Sequence, residues 1–125
     1  MDELLFRQEG YEIQGAIFEV SREMGIGFLE AVYQDCLAME FADRSIPFVM
    51  KPDLALQYKG RPISKIYQPD FVCYGKIIVE LKVVREFTGA HRAQVLNYLK
   101  ATGLRVGLLV NCGCYPKAQI ERIAL

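Results

Sequence analysis

The stretch Lys76-Ile-Ile-Val-Glu-Leu-Lys82 constrains the fold more than any other part of the sequence. Ile77, Ile78 and Val79 are consecutive β-branched apolar residues without polar alternation, the pattern of a strand buried on both faces. Such a strand needs neighbouring strands at its sides and helices above and below it. The flanking sequence supplies both. Residues 3–24 carry helical periodicity through Leu5, Tyr11, Ile13, Ile17, Phe18 and Val20, and Gly25-Ile-Gly27 stops that helix. A second helix is predicted from Phe28 to Arg44, ending before Ser45-Ile-Pro47. Phe48–Tyr58 then reads as extended, Lys59-Gly60 as a turn and Arg61–Tyr67 as the returning strand. Asp70–Tyr74, a turn about Gly75 and Lys76–Lys82 follow. Thr88 is placed to cap a third helix over Gly89–Thr102, closed by Gly103. Val106–Val110 reads as a short buried strand, and Pro116 as the opening of a final helix reaching Ala124. One α/β domain over residues 1–125, a sheet with helices covering its faces, satisfies that order.

Charge limits what the molecule can bind. Lys plus Arg and Asp plus Glu are 15 each, so no net field draws the whole chain to nucleic acid or an acidic membrane. A nucleic-acid substrate would have to be held by a local basic patch. The first residues, MDELLFRQEGYEIQG, carry acids where a signal peptide carries bases, and no apolar run approaches the roughly 18 residues of a membrane span. A cytoplasmic protein with no membrane partner is expected. Cys36, Cys73, Cys112 and Cys114 lack the paired spacing of common zinc modules and read as small core residues, not as ligands or a disulfide framework.

The candidate chemistry lies in the hairpin about Gly75. If the turn centres there, Asp70 faces Glu80 across the strands, and directly opposed residues have Cβ atoms about 4.5–5.5 Å apart. Lys82 projects from the same face as Glu80 because strand side chains alternate. A two-residue turn would shift the register by one and put the acids on opposite faces. Two adjacent carboxylates repel, and a divalent cation between them removes that penalty. The bland alternative is a strand-edge acid beside a solvated Glu80–Lys82 pair. Glu80, however, directly follows a buried run, where an unpaired charge is costly.

Two helices offer further groups. On the second helix Met39, Val32, Cys36, Leu29, Tyr33, Leu37 and Phe41 form one broad apolar arc, with Glu30 inside its far edge. Glu30 is therefore either the flank of that stripe or an inward carboxylate able to give a third oxygen to Mg²⁺. On the third helix Gln94 and Tyr98 are four apart and share a face. They are either a polar flank and a packed tyrosine, or an amide and a phenol that orient Lys82 and hold a phosphate.

Taken together, these residues resemble a known family. Gly27-Phe-Leu-Glu30-Ala-Val-Tyr33 is similar to the signature of the GxxExxY family, followed in order by Pro69-Asp70, Ile78-Val-Glu80-Leu-Lys82, Gln94-Val-Leu-Asn-Tyr98 and Gly107-Leu-Leu-Val-Asn111. That family lies in the PD-(D/E)xK nuclease superfamily, and Gln-x-x-x-Tyr resembles its RecB-like branch. The resemblance implies a restriction-endonuclease-like core with a central mixed β-sheet flanked by helices. It also implies Mg²⁺, replaceable by Mn²⁺, on Asp70, Glu80 and the Leu81 carbonyl, with Glu30 joining directly or through water. Lys82 would activate or position the attacking water, and Gln94 and Tyr98 would support Lys82 and the scissile phosphate.

Two functions follow as expectations: a Mg²⁺-dependent nuclease acting on nucleic acid, DNA first, or a non-catalytic nucleic-acid- or protein-binding module on the same scaffold. Lys82, Arg85, His91, Arg92 and Lys100 are the candidate phosphate contacts, with His91 equally readable as an exposed residue of the first helical turn. So small a domain leaves little surface for both reading and cutting, which is compatible with a homodimer or a partner protein.

Overall fold

The computed structural model describes residues 4–125. Its elements are α1 (Arg7–Met24), α2 (Glu30–Asp43), β1 (Phe48–Met50), β2 (Leu54–Tyr58), β3 (Arg61–Tyr67), β4 (Phe71–Cys73), β5 (Ile77–Lys82), α3 (Gly89–Thr102), β6 (Val106–Asn111) and β7 (Gln119–Ala124). Of the first predicted helix, residue 3 lies outside the described residues, and the helix proper begins at Arg7.

A mixed five-stranded sheet in the order β1-β4-β5-β6-β7 forms the centre. Only β5 and β6 are parallel, joined through α3; the other neighbours are antiparallel. The Ile77–Val79 run lies in the middle strand, fully buried as its composition requires. One sheet face carries α1 and α2 over Phe71, Ile77, Val79, Leu81, Leu108 and Val110. The other carries α3 and the β2–β3 hairpin over Val72, Ile78 and Leu109. Gly107 lets α3 come close, since a Cβ there would meet Val95 Cγ1 at 2.9 Å. The helix spanning 89–102 has the bounds and caps expected: Thr88 Oγ1 accepts from His91 N, and Gly103 closes it in the left-handed conformation.

Two expectations change. The segment predicted as a final helix is instead β7, antiparallel to β6 from Asn111↔Gln119 to Val106↔Ala124. Ile120 and Ile123 suit a strand, and the open edge of β6 offers a full set of hydrogen-bond partners that a helix would leave unpaired. The extended region 48–58 is also not one strand. Lys51 adopts φ 51° ahead of Pro52, and the break sends β1 to the central sheet and β2 to the separate hairpin with β3. At that hairpin's tip Lys59 and Gly60 both have left-handed φ, 51° and 76°, between paired Tyr58 and Arg61, as a tight two-residue turn requires. All four cysteines are free, Cys73 and Cys112 buried. Among the described residues no helix is long and apolar enough to cross a membrane.

Candidate active site

The register of the Gly75 hairpin decides whether the acids meet. Phe71 pairs with Val79, Val72 with Ile78 and Cys73 with Ile77, so the ladder extends to place Asp70 opposite Glu80. Contact is direct: Asp70 N donates to Glu80 Oε1 at 2.9 Å. Leu81 N in turn donates to Asp70 Oδ2 at 2.7 Å. Lys82 stands at the end of β5 opposite Asn111 of β6, so the group lies at the carboxyl ends of the parallel pair, where α/β sheets often bind ligands.

Burial sets the electrostatics. Desolvation is the main cause that pushes the Glu80 carboxyl up to about 7, with the Asp70 charge adding to it, and the backbone hydrogen bond and Lys82 opposing. Asp70 is also raised by desolvation, against the hydrogen bonds from Leu81 and Gln34. Two acids held this close without full hydration are poised to receive a cation. Each keeps unused lone pairs, since a carboxylate offers about four acceptor positions. The donors are hard oxygens, as Mg²⁺ and Mn²⁺ prefer, and the pair leaves other coordination positions to water. Among the described residues no group of three or more Asp, Glu, His or Cys side chains comes together as a metal cluster. The site is thus built on a pair of acids.

Glu30 is the first residue of α2 and exposed. At about 100° per residue, its direction falls among the buried Gln34, Leu37 and Phe41. The predicted arc was centred too far round the helix, for Met39 is 68% and Leu29 78% exposed. Glu30 therefore points along the inward face, one turn short of its buried part. Partial loss of hydration and the Asp70 charge raise its carboxyl, while Lys82 and Lys51 pull it down, so it shares the field of the acid pair. The other motif residues hold that helix end. Gly27 takes φ 107°, and the buried Tyr33 donates its hydroxyl to Gly25 O at 2.6 Å while accepting from Phe28 N at 3.4 Å.

The third helix reaches the site in two ways. Gln94 Oε1 accepts from Lys82 Nζ at 3.5 Å, the long limit of a hydrogen bond. Tyr98 meets neither Lys82 nor the acids directly; its ring stacks on Tyr67 with centroids 3.6 Å apart and planes within 4°. Tyr67 is the link. Its buried hydroxyl lies close enough to Glu80 for that charge to raise its pKa, after desolvation, yet it makes no hydrogen bond of sound geometry among the described residues. Of the other candidates, His91 Nδ1 accepts from Thr88 N in the helix cap, and Arg92 is committed to Glu121 at 2.7 and 2.9 Å. Arg85 and Lys100 remain exposed.

Three site residues were not singled out from the sequence. Buried Gln34 donates Nε2 to Asp70 Oδ1 at 2.6 Å, and Tyr67 backs Glu80. Lys51 donates its backbone N–H to Asp70 O at 2.9 Å, and its charge acts on Asp70 and Glu30. A polar residue one turn after Glu30 on the inward face was the available signal for Gln34. Buried Asn111 fixes the loop after β5, bonding Val84 O at 2.8 Å and receiving Val84 N and Gly113 N.

A family model for the PD-(D/E)XK nuclease superfamily matches residues 7–123. Nucleases of that superfamily typically use divalent metals. Neither the curated proteins nor the solved structures gave a match to the chain.

Proposed function

Because the chain belongs to the PD-(D/E)XK nuclease superfamily, we propose that it is a Mg²⁺-dependent nuclease that hydrolyses phosphodiester bonds in DNA. The observation that carries this reading is the hydrogen-bonded pair of half-buried Asp70 and buried Glu80, with Lys82 beside it at the end of β5. Within the superfamily we place it in the GxxExxY family and the RecB-like branch, on the ordered run of its Gly27–Tyr33, Asp70, Glu80–Lys82 and Gln94–Tyr98 elements.

Asp70 and Glu80 would hold the divalent ion, with the Leu81 carbonyl completing the protein ligands and Glu30 joining through water. When bound, that ion supplies Lewis-acid polarisation of the phosphate and lowers the pKa of a coordinated water. Lys82 donates to the phosphate oxygen on which negative charge builds, which a preorganised cation stabilises most in a desolvated site. Gln94 is a positioning residue for Lys82, as Gln34 is for Asp70. In the reaction the water oxygen bonds to phosphorus as the opposite P–O bond breaks, and the leaving oxygen takes up a proton.

The test is calorimetric titration of Mg²⁺ and Mn²⁺ into the wild type, Asp70→Ala and Glu80→Ala, with the same samples assayed on plasmid DNA. Saturable binding lost in both variants, and cutting reduced by at least about a hundredfold, is the expected result. Metal binding without cutting on any DNA tried would favour the non-catalytic module. Absence of site-dependent binding would overturn the metal-dependent reading.

A further inference from the structure

The chain is electrically balanced, yet its charge is unevenly distributed. Between Arg44 and Asp70 the bases Lys51, Lys59, Arg61 and Lys65 face a single acid, Asp53. That acid already accepts from Gln68 Nε2 at 2.5 Å. Among the described residues none of the four bases forms an ion pair. Of the eleven bases elsewhere four are ion-paired, Arg22 with Glu19, Arg44 with Glu40, Lys76 with Glu9 and Arg92 with Glu121, so what sets the 45–69 segment apart is its excess of bases over acids.

Lys59, Arg61 and Lys65 lie on the β2–β3 hairpin, with Lys51 just before it. Both stems of the β2–β3 hairpin are rooted at the acids: Lys51 N bonds Asp70 O just before β2, and β3 ends in Tyr67 beside Glu80. One side of the hairpin is anchored, because Leu54 and Leu56 pack with Val95 and Leu99 of α3. The rest is open, with every residue of β3 from Arg61 to Ile66 exposed. Tyr58, Ile63 and Ile66, at 59%, 45% and 53% exposure, lie among the bases. At about 3.3 Å per residue β3 carries its charges some 20 Å outward from the acids.

We propose that the β2–β3 hairpin is a DNA-binding arm, with Lys59, Arg61 and Lys65 gripping the phosphate backbone beside the scissile phosphate. The inference rests on the nuclease reading above and adds to it the surface that holds the substrate. Charge complementarity selects the partner. Each strand of duplex DNA presents a phosphate about every 3.4 Å of helix axis, so an extended row of unpaired cations meets several phosphates at once. It also resolves how a chain of zero net charge can hold a polyanion, since the local field is what the substrate meets.

The test is DNA affinity of a Lys59→Glu/Arg61→Glu/Lys65→Glu variant, read by anisotropy on a short labelled duplex over a salt series in an Asp70→Asn background that prevents cutting. Arg7→Glu/Lys117→Glu/Arg122→Glu makes the same charge change on the α1 side, away from the arm. The expected result is at least about tenfold weaker binding for the arm variant, and a log–log salt dependence shallower by about two to three. The control should bind like its parent, both variants should retain the parent's melting temperature, and the same substitutions with Asp70 intact should leave Mg²⁺ binding unchanged. Unchanged affinity and salt slope in the arm variant, or an equal loss in the control, overturns the arm. So does an arm variant that merely self-associates, because its charges would then guard the open edge of β3. Loss of the arm inference with plasmid cutting retained by the chain with Asp70 intact leaves the nuclease reading standing; a parent that binds no DNA together with a wild type that cuts none removes both.

Discussion

Glu80 combines the opposing demands of this molecule in one side chain. It continues a strand that must be apolar to be buried, and the proposed function needs it charged to hold a cation. The conflict is visible in its pKa, raised to about 7 from an ordinary value near 4.5 chiefly by desolvation. The folded state then binds a proton more tightly than the unfolded chain. Its stabilising effect is complete below about pH 4.5 and is lost as pH rises to about 7. In metal-free protein, urea denaturation should therefore show stability falling between those limits by on the order of one to three kcal/mol. Glu80→Gln should flatten most of that slope. A profile unchanged by the substitution would place the titration elsewhere, Asp70 first, since its carboxyl is raised in the same direction. Glu80 and Asp70 could be read from the sequence because a charge abutting an apolar run is conspicuous. Gln34 and Tyr67 could not: an amide and an aromatic on amphipathic elements are ordinary, and only contact across the fold gives them partners.

At the scale of elements, local signals performed best where the physics is local. Thr88 and Gly103 mark α3 to the residue because capping involves neighbours within one turn. Helix α2 was found but its phase was not, because counting apolar residues cannot see that Gln34 belongs to the buried face while Met39 does not. The β7 segment was misread for a related reason: the hydrogen bonds that make it a strand come from β6, distant in sequence until the chain folds back. Packing of α3 on β6 depends on the missing side chain at Gly107. Gly107→Ala, with Val95 Cγ1 at 2.9 Å from the added carbon, should destabilise the fold by about 1–3 kcal/mol. A combined Gly107→Ala/Val95→Ala variant should recover part of that loss in thermal melts if the clash is the cause.

For the whole molecule, the acid pair is a local instability that, on the proposed metal-dependent function, a divalent cation would relieve. Mg²⁺ at a hundredfold excess over its Kd should stabilise the wild type by about 2.7 kcal/mol in unfolding experiments at pH 8. The gain should vanish in Asp70→Ala, which loses the pair's other carboxylate. Zero net charge conceals a segment, residues 45–69, in which four bases without ion pairs stand against one acid on and beside the β2–β3 hairpin. Composition averages over the surface, whereas a ligand meets only the part nearest to it.

Residues within a few positions of one another encode the middle strand, the caps of α3 and the turn about Gly75, and they single out Asp70, Glu80 and Lys82 as candidates. Contacts distant in sequence decide that Gln34 holds Asp70, that Tyr98 stacks on Tyr67, that β7 pairs with β6 and that the β2–β3 hairpin is rooted beside the acids. Those outcomes depend on surfaces brought together over long sequence separations, where contacts exist only after the chain has closed the loops between them.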